Sequence, residues 1–313
     1  MSTFVFAVTP LALLAIVLAV CFVGCFLDSV GVAGPTEISP FTLYSDETVL
    51  PTPGLVSYWP LSEASGTTAT DLMSGHDGTY TTAVFADDPA SQSPAAPGTF
   101  SLDQPGLLAG DIVQPAAIPP VLKPCVVFDG GFVTVPFSTD LNPVGQFTVE
   151  AWVRPDWSPG EGRFRCVLNN LALNGSAFTG FVLFANPDDQ WEAWFGSDSP
   201  TPIIAPDRMG SVHFPIAFGA VTHLVATYDV AAPDGPTLTL WVNGENQGGG
   251  VVSVTPYVAN TDAPIFIGLS APWMPPGLWP FKGAIQDVAI YKRPLNQTEI
   301  STHTVNGLGI EAT

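Results

Sequence analysis

The sequence predicts an all-β protein built as a sandwich of two antiparallel sheets. From residue 54 onward, short stretches carry apolar residues at every second position, as strands with one buried face require. Gly, Pro, Asn and Asp bound these stretches, and helical periodicity is nearly absent between them. The 313-residue chain is 46% hydrophobic, which is enough to fill one large core.

About a dozen strands can be placed in order along the chain. The first covers residues 55–59, and a hairpin follows at 125–128 and 132–135 around the turn Asp129-Gly130-Gly131. Later strands are expected at 147–153, 166–168, 180–184, 191–195, 223–228, 237–242, 265–268 and 284–291. This many strands without interleaved helices implies two packed antiparallel sheets.

The chain divides into three predicted regions. Residues 1–27 contain an uncharged apolar run that is about long enough to cross a membrane as a helix. The same helix could instead form the core of an oligomer, and Gly24-Cys25 resembles the processing site of a bacterial lipoprotein. Residues 28–53 are predicted as a linker or stalk, and residues 54–313 as the sandwich.

The charge balance restricts the possible partners. The chain has 8 Lys and Arg against 28 Asp and Glu, a formal net charge of −20, so nucleic acid would be repelled. The low total charge of 12% is typical of an extracellular or particle-surface protein. Cys125 and Cys166 either form a disulfide or remain two separately buried thiols.

An ordered series of motifs carries a family resemblance. The segments SYWPL, GTTATD, HDGTY, VVFDGGFVTVP, FTVEAWVRP, HLVATYD, LWVNGE, FIGLS and FKGAIQDVAIYKRPL occur in the order shown by laminin-G-like domains. The chain resembles this family of concanavalin A-like jelly rolls over about residues 54–300, and especially its members in bacterial surface proteins and phage or phage-like tails. The resemblance implies a closing helical turn at residues 294–300, with Asn296 as N-cap and Glu299 three positions on.

Catalysis is not expected from this sequence. Active relatives of this fold are glycoside hydrolases with a Glu-x-Asp-x-x-Glu strand, which is absent here. Glu150 and Glu192 stand without acidic neighbours, and the four histidines belong to no nucleophile or zinc motif.

A structural calcium ion is implied by the resemblance. The matching positions are Asp71, Asp77 and Asp287, whose carboxylates would supply the hard oxygen ligands that calcium prefers. The alternative is that Asp71 and Asp77 form turns and Asp287 faces solvent.

Loop tryptophans are the candidate ligand-binding residues, because apolar sugar faces stack on aromatic rings. Trp157, Trp273 and Trp279 lie in Pro- and Gly-rich loops, whereas Trp59 and Trp152 alternate with small residues and are expected in the core. The alternative is that Trp273 and Trp279 cover the sandwich edge or contact another subunit.

Together these features predict a non-catalytic, lectin-like adhesion module displayed on a surface, whose partner is a glycan or a surface protein. The alternative is a structural subunit of a fibre, phage-like tail or surface assembly that forms homo-oligomers through its N-terminal helix. The expected location is extracellular, anchored to a membrane or on the surface of a particle.

Overall fold

The computed structural model of the protein describes residues 43–73, 75–82, 98–114, 121–197, 199–205, 215–251, 257–271 and 278–310. The predicted N-terminal helix at residues 1–27 and the linker as far as residue 42 lie outside them.

Short strands dominate the described part of the chain. Helical structure there consists of a π-helical turn at Ser45–Val49, a 3-10 turn at Thr139–Leu141 and one α-helix, α1, at Gln297–Leu308. The strands are β1 Leu55–Trp59, β2 Thr68–Ala69, β3 Gly78–Thr81, β4 Thr99–Gln104, β5 Ile112–Gln114, β6 Val121–Leu122, β7 Cys125–Asp129, β8 Phe132–Val135, β9 Gln146–Pro155, β10 Arg165–Asn169, β11 Ala172–Asn174, β12 Ala177–Thr179, β13 Phe181–Ala185, β14 Trp191–Phe195, β15 Ile203–Ala205, β16 Thr222–Asp229, β17 Thr237–Val242, β18 Glu245–Val251, β19 Ile265–Ile267 and β20 Lys282–Tyr291.

Two large sheets form the sandwich. Sheet 1 has the order β18-β17-β16-β9-β20-β7-β4, and β1 also pairs with β20. Sheet 2 has the order β15-β14-β13-β10-β19-β8-β3-β2. The strand pairs of both sheets are antiparallel. This arrangement confirms the predicted two-sheet antiparallel sandwich.

Period-2 alternation places the core between the sheets. In β9, Phe147, Val149 and Ala151 belong to this core, whereas Trp152 belongs to a separate apolar cluster on the opposite face of sheet 1. The ring of Phe147 lies 4.9 Å from that of Phe195 on sheet 2, so aromatic side chains join the two layers. Trp59 is fully buried in the same core, as predicted.

The first and last strands of the sandwich are neighbours. Leu55 pairs with Tyr291 and Trp59 with Val288, which brings the two ends of the described domain together in sheet 1. A register shift between Gln286 and Ala289 marks a bulge in β20, at which Asp287 adopts a left-handed φ of 52°.

Helix α1 covers the outer face of sheet 1. Asn296 and Glu299 form the predicted capping box, with the Asn296 side chain accepting from Glu299 N at 3.0 Å. The helix continues well beyond the predicted turn and ends at Leu308. Gly307 packs so closely that a Cβ would lie 2.3 Å from the Trp152 ring, which excludes larger residues at this position.

The segment before β1 also belongs to this cover. Tyr44 and Val49 are almost fully buried in the apolar cluster on the outer face of sheet 1. The described domain therefore includes residues that precede the predicted boundary at residue 54 and were assigned to the linker.

Leu107, Leu108, Cys125 and Cys166 are buried outside the central core. Leu107 and Leu108 lie in an irregular segment and are buried against the outer face of sheet 1. Cys125 and Cys166 are buried free thiols, on sheet 1 and sheet 2 respectively.

Candidate functional site

A row of cross-strand partners crosses the outer face of sheet 2. Ile204 lies opposite Trp194, Trp194 opposite Val182, Val182 opposite Asn169, and Asn169 opposite Phe266. Trp194 and Phe266 are only partly buried, so the two aromatic rings that flank Val182 and Asn169 in this row reach solvent.

Aromatic packing holds the rings of this face in fixed positions. Trp194 makes an edge contact with Phe184 at 4.9 Å, and Trp279 packs over both, at 5.9 Å from Trp194 and 5.0 Å from Phe184. Phe164 stacks on Trp279 at 4.3 Å. Such packing preorganises a ring surface at little entropic cost to a ligand.

A buried carboxylate orients the partly exposed indole. Trp194 Nε1 donates to Glu192 Oε2 at 2.8 Å, and Asn186 Nδ2 donates to Glu192 Oε1 at 2.6 Å. Both oxygens of Glu192 thus accept hydrogen bonds from the protein, and the carboxylate positions the Trp194 ring.

The same face contains buried polar groups without partners. Asn169 is fully buried, and neither its amide oxygen nor its nitrogen has a hydrogen-bond partner within the described residues. The same holds for Nε1 of the buried Trp279. Each such group costs about 1–3 kcal/mol, which a ligand or ordered water can recover by supplying the missing partner.

The predicted ligand-binding tryptophans lie in different surroundings. Trp157 packs in the core, with edge contacts to Phe218 at 5.7 Å and Phe281 at 5.6 Å. Trp279 is buried on the outer face of sheet 2, and Trp273 lies outside the described residues. Buried indoles present no free ring face in this arrangement, so the ligand-binding role of the three residues stays a prediction.

Asp71 is enclosed by hydrogen-bond donors at the turn after β2. Its Oδ1 accepts from Tyr58 N at 2.9 Å, and its Oδ2 from Ser57 Oγ at 2.9 Å and His76 N at 3.1 Å. Asp77 Oδ1 accepts from Asp71 N at 2.8 Å. These contacts are typical of carboxylates that fix a turn.

Asp287 faces an ammonium group. Its Oδ1 lies 2.9 Å from Lys123 Nζ and accepts from the hydroxyl group of Tyr58, while Oδ2 accepts from Gln286 Nε2 at 3.0 Å. Among the described residues, no three His, Cys, Asp or Glu side chains form a group that could hold a metal ion. The arrangement does not fit one calcium ion shared by Asp71, Asp77 and Asp287, and the calcium prediction awaits a binding measurement.

A second buried carboxylate, on sheet 1, organises a polar network that motif analysis missed. Glu150 Oε1 lies 2.8 Å from Tyr44 Oη, 2.8 Å from His223 Nε2 and 2.9 Å from His303 Nδ1. Tyr291 Oη donates to Glu150 Oε2 at 2.9 Å. The only local signal is an acidic residue within an apolar strand, because its partners lie 73 to 153 residues away.

The network carries one buried ion pair. Burial raises the pKa of Glu150, but His303 and His223 outweigh it and hold that pKa well below the usual range. Burial opposes the charge of His303, yet Glu150 raises the pKa of this residue. Burial lowers the pKa of His223 more than Glu150 raises it. These directions agree with an ion pair between Glu150 and His303, and the network ties α1 to sheet 1.

An uncharged surface depression of about 480 Å³ lies elsewhere, between the segments around Val144 and Ala259. In its lining, Asn142 Oδ1 accepts from Asn260 Nδ2 at 3.0 Å and from Asn170 Nδ2 at 2.7 Å, and Tyr257 Oη is the one buried polar side-chain atom without a partner among the described residues. The outer face of sheet 2 therefore offers a ligand more unpaired polar groups and is the better candidate site.

The described strands define the chain as a two-sheet antiparallel sandwich. Residues 129–301, more than half of the chain, match the laminin G-like family model of the concanavalin A-like lectin/glucanases superfamily. The chain belongs to this superfamily.

Solved structures with a similar fold share little sequence with the chain. A mutant of Trypanosoma rangeli sialidase displaying trans-sialidase activity has a TM-score of 0.49 and 17% identity, over 84% of this chain and 34% of the sialidase. Domain 4 of AbnA, a GH43 extracellular arabinanase from Geobacillus stearothermophilus in complex with arabinotriose, has a TM-score of 0.48 and 17% identity, over 80% of this chain and 98% of that domain. The binding domain of botulinum neurotoxin DC in complex with SialylT has a TM-score of 0.48 and 11% identity, over 80% and 50% of the two chains. The chain thus spans about a third of the sialidase.

A search of curated proteins found no match. Within the described residues, no helix has the length and apolar character needed to span a membrane.

Proposed function

We propose that the protein is a non-catalytic glycan-binding module and that the outer face of sheet 2 is its binding surface. The observation that carries this proposal is the row from Trp194 to Phe266, in which partly exposed rings flank the unpartnered amide of Asn169. Rings and convergent polar groups are the two elements that sugar recognition uses.

The ligand would engage the face at two levels. The Trp194 ring, held by Glu192, would stack against an apolar sugar face, and sugar hydroxyl groups would pair with polar groups beside it. Access to Asn169 requires movement of the residues that bury it, because its amide atoms are not open to solvent. Binding would repay that movement by pairing an amide that is otherwise unsatisfied.

The buried carboxylates support a binding role over glycoside hydrolysis. Hydrolysis of a glycosidic bond uses two carboxyl groups that flank the sugar. Glu150 is enclosed under α1, and both oxygens of Glu192 accept hydrogen bonds from neighbouring side chains. Display outside the cell or on the surface of a particle suits such a module and forms part of the proposal.

A glycan array with the full chain tests this function, with calcium and with a chelator in parallel. We expect reproducible binding to a defined set of glycans and a loss of at least tenfold in affinity for Trp194→Ala, equivalent to about 1.4 kcal/mol. Trp241→Ala is the matched control, because Trp241 lies on sheet 1 and its indole bonds to Thr227.

Equal loss of binding in both tryptophan variants would point to general unfolding, so thermal melting of each variant accompanies the array. A well-folded protein that binds no glycan, and that instead forms a stable oligomer by mass photometry, would refute the proposal. That outcome would favour the alternative of a fibre or tail subunit.

A further inference from the structure

Lys123 places one ammonium group between two buried carboxylates. Its Nζ lies 2.6 Å from Asp111 Oδ2, 2.9 Å from Asp287 Oδ1 and 3.2 Å from Tyr58 Oη. Both carboxylate side chains have no exposed surface, and that of Lys123 is 11% exposed. The ammonium group thus has oxygen neighbours of the kind that surround a bound cation.

The oxygen atoms come from three separate parts of the chain. Asp111 directly precedes β5, Tyr58 lies in β1, and Asp287 lies at the bulge of β20. Lys123 follows β6, and its backbone N–H donates to Asp111 O at 2.7 Å. The ammonium group therefore links the β5–β6 hairpin to the paired first and last strands of the sandwich.

One ammonium group serves both buried carboxylates. The Lys123 ammonium lies within hydrogen-bonding distance of one oxygen of each carboxylate. Within the described residues the carboxylate of Asp111 has no donor other than this ammonium, so Lys123 supplies its compensating charge. Loss of the ammonium would leave two neighbouring buried carboxylates unbalanced.

We propose that Lys123 is the protein's own cation at the junction of β1, β20 and the β5–β6 hairpin, and that it makes this junction independent of calcium. Asp287 was the predicted ligand shared by the two ends of the domain, and its Oδ1 is engaged by the ammonium and a tyrosine hydroxyl. A calcium ion at this position would have to displace Lys123 and would be repelled by it.

Thermal unfolding of the full chain with and without calcium tests the proposal. We expect the wild-type melting temperature to be the same in excess chelator and in millimolar calcium. Lys123→Met should lower it by roughly 6–20 °C in both buffers, since a buried charge pair is broken in a large domain. Lys292→Met is the matched control, because Lys292 is exposed, and it should melt close to wild type.

Two results would overturn the inference. One is a saturable rise in the wild-type melting temperature with calcium, together with calcium binding measured by calorimetry that disappears in Asp287→Asn. The other is a Lys123→Met protein as stable as the Lys292→Met control. If Lys123→Met does not fold, the comparison of wild-type melting temperatures with and without calcium still decides calcium dependence. Lys123→Arg, which keeps the positive charge, must then fold and be more stable than Lys123→Met.

Discussion

The outer faces of the two sheets differ in how they are covered and in how their buried polar groups are paired. Sheet 1 is covered by α1 and by the segment that contains Tyr44, and its buried charges at Glu150 and Asp287 are paired. Sheet 2 carries partly exposed aromatic rings and the unpaired amide of Asn169. Because buried polar groups are normally paired, the proposed binding role of sheet 2 rests on an amide that has no partner among the described residues, whereas the carboxylates named on sheet 1 have theirs.

The largest expected effect is on the sheet 1 network. Glu150→Ala leaves the buried imidazoles of His303 and His223 without their carboxylate, and it removes the acceptor of Tyr44 and Tyr291. We expect a loss of about 3–5 kcal/mol in the free energy of unfolding, measured by urea denaturation. Asp156→Ala is the control, because its pair with Arg154 is partly exposed and worth about 0–1 kcal/mol. Similar stability of the two variants would mean that the buried network on the outer face of sheet 1 contributes no more than an exposed ion pair.

Adjacent asparagines on β10 and just after it allow a direct comparison of paired and unpaired amides. Asn170 Oδ1 accepts from Phe181 N and its Nδ2 donates to Asn142, both at 2.7 Å, whereas Asn169 has no such partners in the described part of the chain. Asn170→Leu should cost about 1–3 kcal/mol, because it leaves partners unpaired.

Asn169→Leu should not lower stability as Asn170→Leu does, since an apolar residue of similar size removes an unsatisfied polar group. We expect unchanged or higher stability in urea denaturation together with weaker glycan binding on the array. Unchanged glycan binding would remove Asn169 from the site, and a loss of stability equal to that of Asn170→Leu would show that its amide is paired.

These contrasts also show what the sequence could and could not predict. The capping box of Asn296 and Glu299 was predictable because its groups are three residues apart, and the strands were predictable from period-2 alternation. The pairing of Glu150 with His223 and His303 depends on contacts across 73 and 153 residues. The same limit applies to Lys123 and Asp287, which a bulge in β20 brings together.

The His303 interaction with Glu150 should give sheet 1 a pH dependence. The pKa of His303 is raised in the folded state, so its contribution is complete below the unfolded pKa of about 6.5 and is lost as pH rises through the folded value. His303→Gln, which retains a hydrogen-bonding group but no charge, should therefore cost most at low pH, about 1.5–2 kcal/mol, and progressively less on the alkaline side.

Urea denaturation of wild type and His303→Gln across pH 5 to 9 would measure this difference. Lowered pKa values at Glu150 and His223 act on both proteins, because each favours the folded state less as pH falls. Because His303 contributes to both lowered pKa values, the difference between the two proteins at each pH measures the coupling of His303 to Glu150 and His223. A cost that stays constant across the range would mean that His303 is not charged in the folded protein.

The smallest effect concerns the beginning of α1, where the Asn296 side chain caps the first turn. Asn296→Ala removes the acceptor for Glu299 N and should cost about 1 kcal/mol by urea denaturation. Because His303 and Thr304 anchor the helix farther along, through Glu150 and His223, the loss should be confined to fraying of the first turn. Hydrogen exchange should then quicken at the first turn and stay slow around His303; fast exchange along the whole helix would mean that the cap, rather than the buried ion pair, holds the cover on sheet 1.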